Sequence, residues 1–224
     1  MKDHNLIIAE IVAGIVSDCL GENLTVVTYY SADRNFVIME FSGYPLRGSE
    51  RTGNVYVQFP KKTFFVKRGN LHFTPIQQAQ CRYYQESMGN QFAHPHVYND
   101  GHPSWDNLRR NTPVDFITNI IETLSLQNVT KDSIAFAHCS SGIMGTGNEA
   151  LKNAQGQQER VINVLKCNPI IYDHIKLQRY VDQRWRDKLM TFMHSGDGSR
   201  IVFENHKGVT VVSEIDMADS PIEM

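Results

Sequence analysis

The chain has 224 residues, 41% of them hydrophobic and 21% charged, which excludes long-range disorder and a collagen-like repeat. With 22 basic residues against 24 acidic ones the net charge is -2, so the bulk charge carries no footprint for nucleic acid. A globular chain of this size buries roughly 70% of its unfolded surface and needs no disulfide or metal staple.

The first expected element is an amphipathic helix. Ile7, Ile11, Ile15 and Cys19 recur at four-residue steps, with Val12 and Val16 beside them and Gly21 as the stop. The apolar stretch Leu6–Val16 is interrupted by Glu10 and too short to cross a bilayer, so no membrane partner is read and cytoplasm is the expected compartment. Leu24–Tyr30 and Phe36–Phe41 read as strands joined by a turn over Ser31–Asn35. Asn54–Phe59 is a third strand, with Val55, Val57 and Phe59 on one face. Thr63–Val66 and Leu71–Phe73 read as a fourth, broken at Gly69-Asn70. Pro75–Gly101 has weak periodicity and many glutamines, and it leads into a histidine-rich run from His94 to Asp106.

A helix then starts sharply, with Thr112 as N-cap, Pro113 in the first position and Asp115 in the first turn. Phe116, Ile117, Ile120, Ile121 and Leu124 form its buried face. After it come an apolar run, Ile134–Ala137, and a glycine-rich loop, Cys139–Gly147. One helix is expected over Gln155–Cys167. Another runs from Asn168-Pro169 to about Met193, with an apolar stripe of Ile171, Ile175, Val181, Trp185, Leu189 and Phe192. Arg200–Glu204 and Val209–Ile215 flank Asn205–Gly208 as a hairpin, and Asp216–Met224 is an acidic tail. The order of elements defines an α+β fold. It divides into a main body (1–195), a hairpin extension (196–215) and the tail (216–224).

Cys19, Cys81, Cys139 and Cys167 are widely spaced and form no CxxC pair, as expected of reduced, buried thiols. His94, His96 and His102, with His138 or Cys139, suggest metal ligands, because a His-x-His pair on extended backbone points both rings to one side. Yet no carboxylate or cysteine stands at ligand spacing, and Pro95 and Pro103 make rigid turns, so no metal is expected. Gly142–Gly147 lacks the lysine and Ser/Thr ending of a P-loop, and Ser140 and Ser141 fit no Gly-x-Ser-x-Gly elbow. Lys176, Arg179, Arg184, Arg186 and Lys188 read as the solvated face of one long helix, and Trp105 as packing that holds its loop.

The informative constellation surrounds Ser104. His94-Pro95 begins ten residues before it, Gly101 lies three before, and Asp106 two after. A strand ending at Pro60 precedes this loop, and the Thr112-Pro113 helix follows. The arrangement resembles the ubiquitin-conjugating enzymes. That family has an N-terminal helix, a four-stranded antiparallel meander, a His-Pro-Asn … Gly-x-x-Cys-Leu-Asp loop with the same ten-residue spacing, and then helices. The resemblance covers roughly Asn5 to Ser125, with Gln155–Met193 compatible with the later helices and the hairpin Arg200–Ile215 outside the pattern. Two positions depart from it: Ser104 stands where the family has its cysteine, and His96 where it has asparagine.

The resemblance implies that the chain accepts a ubiquitin-like protein from an ATP-dependent activating enzyme and passes it to a target protein or other acceptor. No cofactor is implied, since the activating enzyme consumes the ATP. Ser104 would be the acyl acceptor, His102 or His94 the base or loop organiser, and His96 the stand-in for the oxyanion amide. Asp106 would position the incoming nucleophile or cap the loop. Three accounts of Ser104 stand open. It is a native serine forming an oxyester, a replacement for cysteine that traps a stable ester, or a natural variant without a nucleophile that only binds a ubiquitin-like protein. A hydroxyl is a far weaker nucleophile than a thiolate and needs a base; His102, His94 and His96 are within loop reach, with Asp100 or Asp106 to orient one. Divergence at both positions looks like the bacterial ubiquitin-like conjugation operons implicated in defence against phage. The rival expectations are a non-catalytic adaptor and, third, a metal-dependent hydrolase using the histidine cluster.

Overall fold

A computed structural model describes residues 4–47, 49–67, 70–75, 80–86, 92–104, 112–127, 129–130, 144–194, 202–204 and 210–212. Helix α1 (His4–Leu20) ends as expected at Gly21, whose N–H donates to Ser17 O at 2.9 Å and whose φ is +126°. A Cβ there would lie 1.7 Å from Leu165 O, so only glycine lets the two segments meet. The buried face is broad and centred on Ile8, Val12, Ile15, Val16 and Cys19. Ile7 and Ile11, expected in the stripe, pack half-buried at its margin.

Strands β1 (Thr25–Tyr30), β2 (Phe36–Pro45) and β3 (Thr52–Pro60) form an antiparallel meander. Val55, Val57 and Phe59 face the core, as their alternation predicts. The next two strands differ from expectation. β4 (Phe64–Lys67) and β5 (Asn70–Phe73) are not one broken strand of the sheet but a separate hairpin, with Phe64 opposite Phe73. Phe64 turns into the core, with ring centroids 5.7 Å from Phe116 and 5.8 Å from Trp185. The fourth strand of the main sheet is β6 (Arg82–Gln85), which pairs antiparallel with β3 to give the order β1-β2-β3-β6. Cys81, Tyr83 and Gln85 are buried while Arg82 and Tyr84 are half-buried, and a glutamine at a core position disguises that alternation.

Helix α2 (Pro113–Leu124) begins where the sequence places it, with Thr112 Oγ1 accepting from Asp115 N–H at 3.1 Å. Every residue of α2 except Asp115 is buried, which makes it the central helix rather than an amphipathic one. Helix α3 (Gly147–Leu165) starts two turns before the expected Gln155. Its core positions are Ala150, Ala154, Gln157, Val161 and Leu165, a helical spacing filled at first by small and polar residues. It clamps the β2–β3 connection: Gln157 Nε2 donates to Pro45 O at 2.9 Å and Arg160 Nη1 to Leu46 O at 2.6 Å.

Asn168 Oδ1 accepts from Ile170 N–H at 3.0 Å and Pro169 follows, but this cap opens only a 3-10 turn, Pro169–Tyr172. Asp173 is extended, and α4 (His174–His194) begins after it. The break resets the register, so Ile175 is 61% exposed and the stripe runs Leu177, Val181, Trp185, Leu189. The basic face of α4 finds carboxylate partners, two of them local and one on α1: Lys176 with Asp173 at 3.2 Å, Arg186 with Asp182 at 3.1 Å and Lys188 with Asp18 at 3.5 Å. β7 (Val202–Glu204) and β8 (Thr210–Val212) pair as the expected hairpin, and β7 lies alongside β5. The tail 216–224 lies outside the described residues.

The chain is therefore an α+β protein: an N-terminal helix, an antiparallel four-stranded sheet and further helices. Among the described residues no helix is long and apolar enough to cross a membrane. Cys19, Cys81 and Cys167 are free, buried thiols, and Cys139 lies outside the described residues. Burial pushes the Cys19 and Cys167 thiols up to about 12, which leaves them unreactive at neutral pH.

Candidate functional site

The loop that carries the sequence motif is built on aromatic packing. Phe92 is buried with its ring 6.0 Å from both Tyr44 and Tyr83, and the His94 ring stacks on it at 6.1 Å and 13°. His94 is 1% exposed, and its Nδ1 accepts the N–H of His96 at 2.9 Å. Burial, with the nearby His96 charge, holds its pKa well below the ordinary histidine value, so the ring is neutral and its proton sits on Nε2. The ring nitrogen that could take a proton is already spent on the backbone. His94 is thereby a loop organiser and is not disposed as a base.

From His96 onward the chain folds back on itself as a short ribbon. Val97 bridges Pro103 in antiparallel fashion, Tyr98 N–H donates to His102 O at 2.9 Å, and Ser104 N–H donates to His96 O at 2.6 Å. The turn closes with Gly101 N–H on Tyr98 O at 2.8 Å. Tyr83 N–H then donates to Gly101 O at 2.8 Å, which hangs the ribbon on the side of β6 away from β3. Gly101 has φ +90°, and a Cβ there would lie 2.7 Å from Tyr83 O. Glycine is required on both counts.

Strand periodicity then sorts the side chains. Val97 and Pro103 are buried, whereas His96, Tyr98, His102 and Ser104 are half-buried on the opposite face. Ser104 stands directly across from His96, where opposing Cβ atoms are about 4.5–5.5 Å apart, and roughly 7 Å along the strand from His102.

His102 is the most constrained of the four. Its Nδ1 contacts Asp100 Oδ1, its backbone N–H donates to the same oxygen at 3.3 Å, and Tyr98 stacks on its ring at 4.2 Å and 18°. Burial alone would raise the Asp100 carboxyl, but hydrogen bonds from His102 and the charges of His102 and Arg82 outweigh it and hold the group below its ordinary value. Arg82 Nη2 lies 3.9 Å from Asp100 Oδ2. With Nδ1 turned to a carboxylate, Nε2 is the ring atom left for proton exchange. Among the described residues no hydrogen bond joins Ser104 Oγ to either ring.

The structure thus brings Ser104, His96 and His102 to one face and sets the buried His94 ring 5.5 Å from that of His96. Asp106 and Trp105 lie outside the described residues, as do His138, Cys139, Ser140, Ser141 and the first part of the glycine-rich loop. Among the described residues no group of three or more His, Cys, Asp or Glu side chains is placed to hold a metal ion. The sequence reading passed over Tyr98 and Arg82. The signal for Tyr98 was Asn99-Asp100-Gly101, a turn tripeptide that puts residues 98 and 102 opposite each other. Comparison of the chain with protein-family models, with curated proteins and with solved structures finds no match in any of the three.

Proposed function

We propose that the chain is an acyl carrier of the ubiquitin-conjugating type, which accepts a ubiquitin-like protein on Ser104 and passes it to an acceptor, in a bacterial antiphage pathway. The supporting observation is the ribbon: it sets the hydroxyl at the family's cysteine position opposite His96 and on the same face as the Asp100–His102 pair. The N-terminal helix and the antiparallel sheet ahead of the loop fit the same reading.

In the proposed charging step, Ser104 Oγ attacks the thioester carbonyl of the activated ubiquitin-like protein. A C–O bond forms, the C–S bond to the activating enzyme breaks, and the serine proton passes by way of His102 Nε2 to the departing thiolate. In the transfer step, the acceptor amine attacks the ester, the amide forms, and the proton returns to Ser104 as its alkoxide leaves. His96, in place of the family's asparagine, would donate one hydrogen bond to the developing oxyanion. Asp100 holds the His102 tautomer that these transfers need.

A non-catalytic adaptor that binds a ubiquitin-like protein is the second reading. It is favoured by the lack of a hydrogen bond between Ser104 Oγ and either ring among the described residues. The deciding experiment is a gel-shift assay with the cognate activating enzyme, its ubiquitin-like protein and ATP. An adduct that survives thiol, is cleaved by mild base and vanishes in Ser104→Ala supports the oxyester. An adduct seen only in Ser104→Cys marks a lapsed or replaced nucleophile, and no adduct in either form leaves the adaptor.

A further inference from the structure

A cavity of about 490 Å³ opens where the β1–β2 turn meets the end of β3 and the base of the β4–β5 hairpin, and no ribbon residue lines it. Its walls carry three cations, Arg34, Lys61 and Lys62, with Asn35 and Thr74 among them. The backbone explains why they converge. Lys61 N–H donates to Asn35 O and Thr74 N–H to Thr63 O, both at 2.9 Å, which ties the turn, the 3-10 segment Lys61–Thr63 and the hairpin base at one point.

Two of the cations are held close without a counter-charge. Arg34 and Lys61 both lean over the Tyr30 ring, 5.5 and 5.1 Å from its centroid. None of the three has an ion-pair partner among the described residues. The adjacent acid, Asp33, is taken up by its own turn, where it accepts from Asn35 N–H at 3.1 Å, from Asn35 Nδ2 at 2.8 Å and from Ser31 Oγ. Like charges gathered in a concave site focus a positive potential that an anion relieves.

Among the described residues of the lining only Thr63 is buried, and the others are half-buried or exposed, so the three cations stand open to a ligand. The volume lies in the range of small-ligand sites, which favours a small anion over a flat protein surface.

We propose that this cavity binds a small phosphate-bearing molecule, with Arg34, Lys61 and Lys62 on its anionic oxygens. The site is separate from Ser104 and stands whether or not the acyl-carrier reading does.

The test is isothermal titration calorimetry of the full chain with inorganic pyrophosphate, against sodium chloride at matched ionic strength. Saturable one-to-one binding is expected, weakened about tenfold in Lys62→Met, whose side chain is exposed and spares the fold. Arg34→Met, at an exposed side chain of the lining, is expected to weaken binding by a similar factor. The proposal is overturned if chloride reproduces the heats, or if both variants bind as tightly as the unmodified chain. It is also overturned if poly-glutamate binds and pyrophosphate does not, which would make the surface one for acidic macromolecules.

Discussion

Ser104 and His96 are cross-strand neighbours: the serine N–H donates to the histidine carbonyl at 2.6 Å, so the two side chains rise from the same face of the ribbon. That pairing fixes where an acyl group on Ser104 would lie, between His96 opposite and His102 alongside.

Replacing His102 is expected to slow adduct formation at Ser104 by roughly a hundredfold, the usual worth of a positioned base. Asp100→Asn should slow it too, because the amide no longer fixes the Nδ1–H tautomer. Single-turnover charging across pH 6–9 reads both. Unchanged rates in His102→Ala would remove this ring from the mechanism.

Gly101→Ala should destabilise the fold by about 1–3 kcal/mol. The new methyl meets Tyr83 O at 2.7 Å in a backbone at φ +90°. Urea denaturation followed by tyrosine and tryptophan fluorescence measures the loss. A midpoint equal to that of the unmodified chain would mean that the ribbon is not held on β6.

His94 makes stability depend on pH in a defined direction. Its folded pKa is depressed by burial, so the unfolded chain binds the extra proton first as the pH falls. The contribution is complete above the unfolded value near 6.5 and is lost progressively as the pH drops toward the lower folded value, at up to about 1.4 kcal/mol per pH unit. Denaturation midpoints between pH 7.5 and 4.5 should fall more steeply in the unmodified chain than in His94→Asn. Parallel curves would show that the ring titrates normally.

Thr112→Ala should cost about 1 kcal/mol through loss of the cap on Asp115 N–H, and Thr112→Ser should restore most of it. The pair of melting curves separates a capping effect from a packing one, because serine keeps the acceptor and removes only the methyl group.

Local chemistry was legible in the sequence and long-range pairing was not. Thr112-Pro113 and the Val55, Val57, Phe59 alternation announce their elements because cap and strand signals lie within a few residues. β6 was missed because Gln85 occupies a core position, and the start of α3 because Ala150, Ala154 and Gln157 carry its face without large apolar groups. Ile175 fell outside the stripe because the 3-10 turn before α4 shifts the helical phase, which no count along the chain anticipates. At the candidate site, the family resemblance singled out Ser104, His102, His94, His96 and Asp106. The apposition of His96 with Ser104, and of Tyr98 with His102, is a matter of register that spacing alone leaves open.

The anchoring of Gly101 to Tyr83 reaches beyond the face that carries Ser104. Among the described residues the sheet order β1-β2-β3-β6 ends at β6, and the ribbon takes up the Tyr83 N–H on its outer side. The loop that carries Ser104 therefore also covers a seam of main-chain groups with which a strand of another copy could pair if it were left bare. Loop variants that let go of that seam should be lost first to self-association, in the insoluble fraction of an expression culture, before any change in chemistry is read.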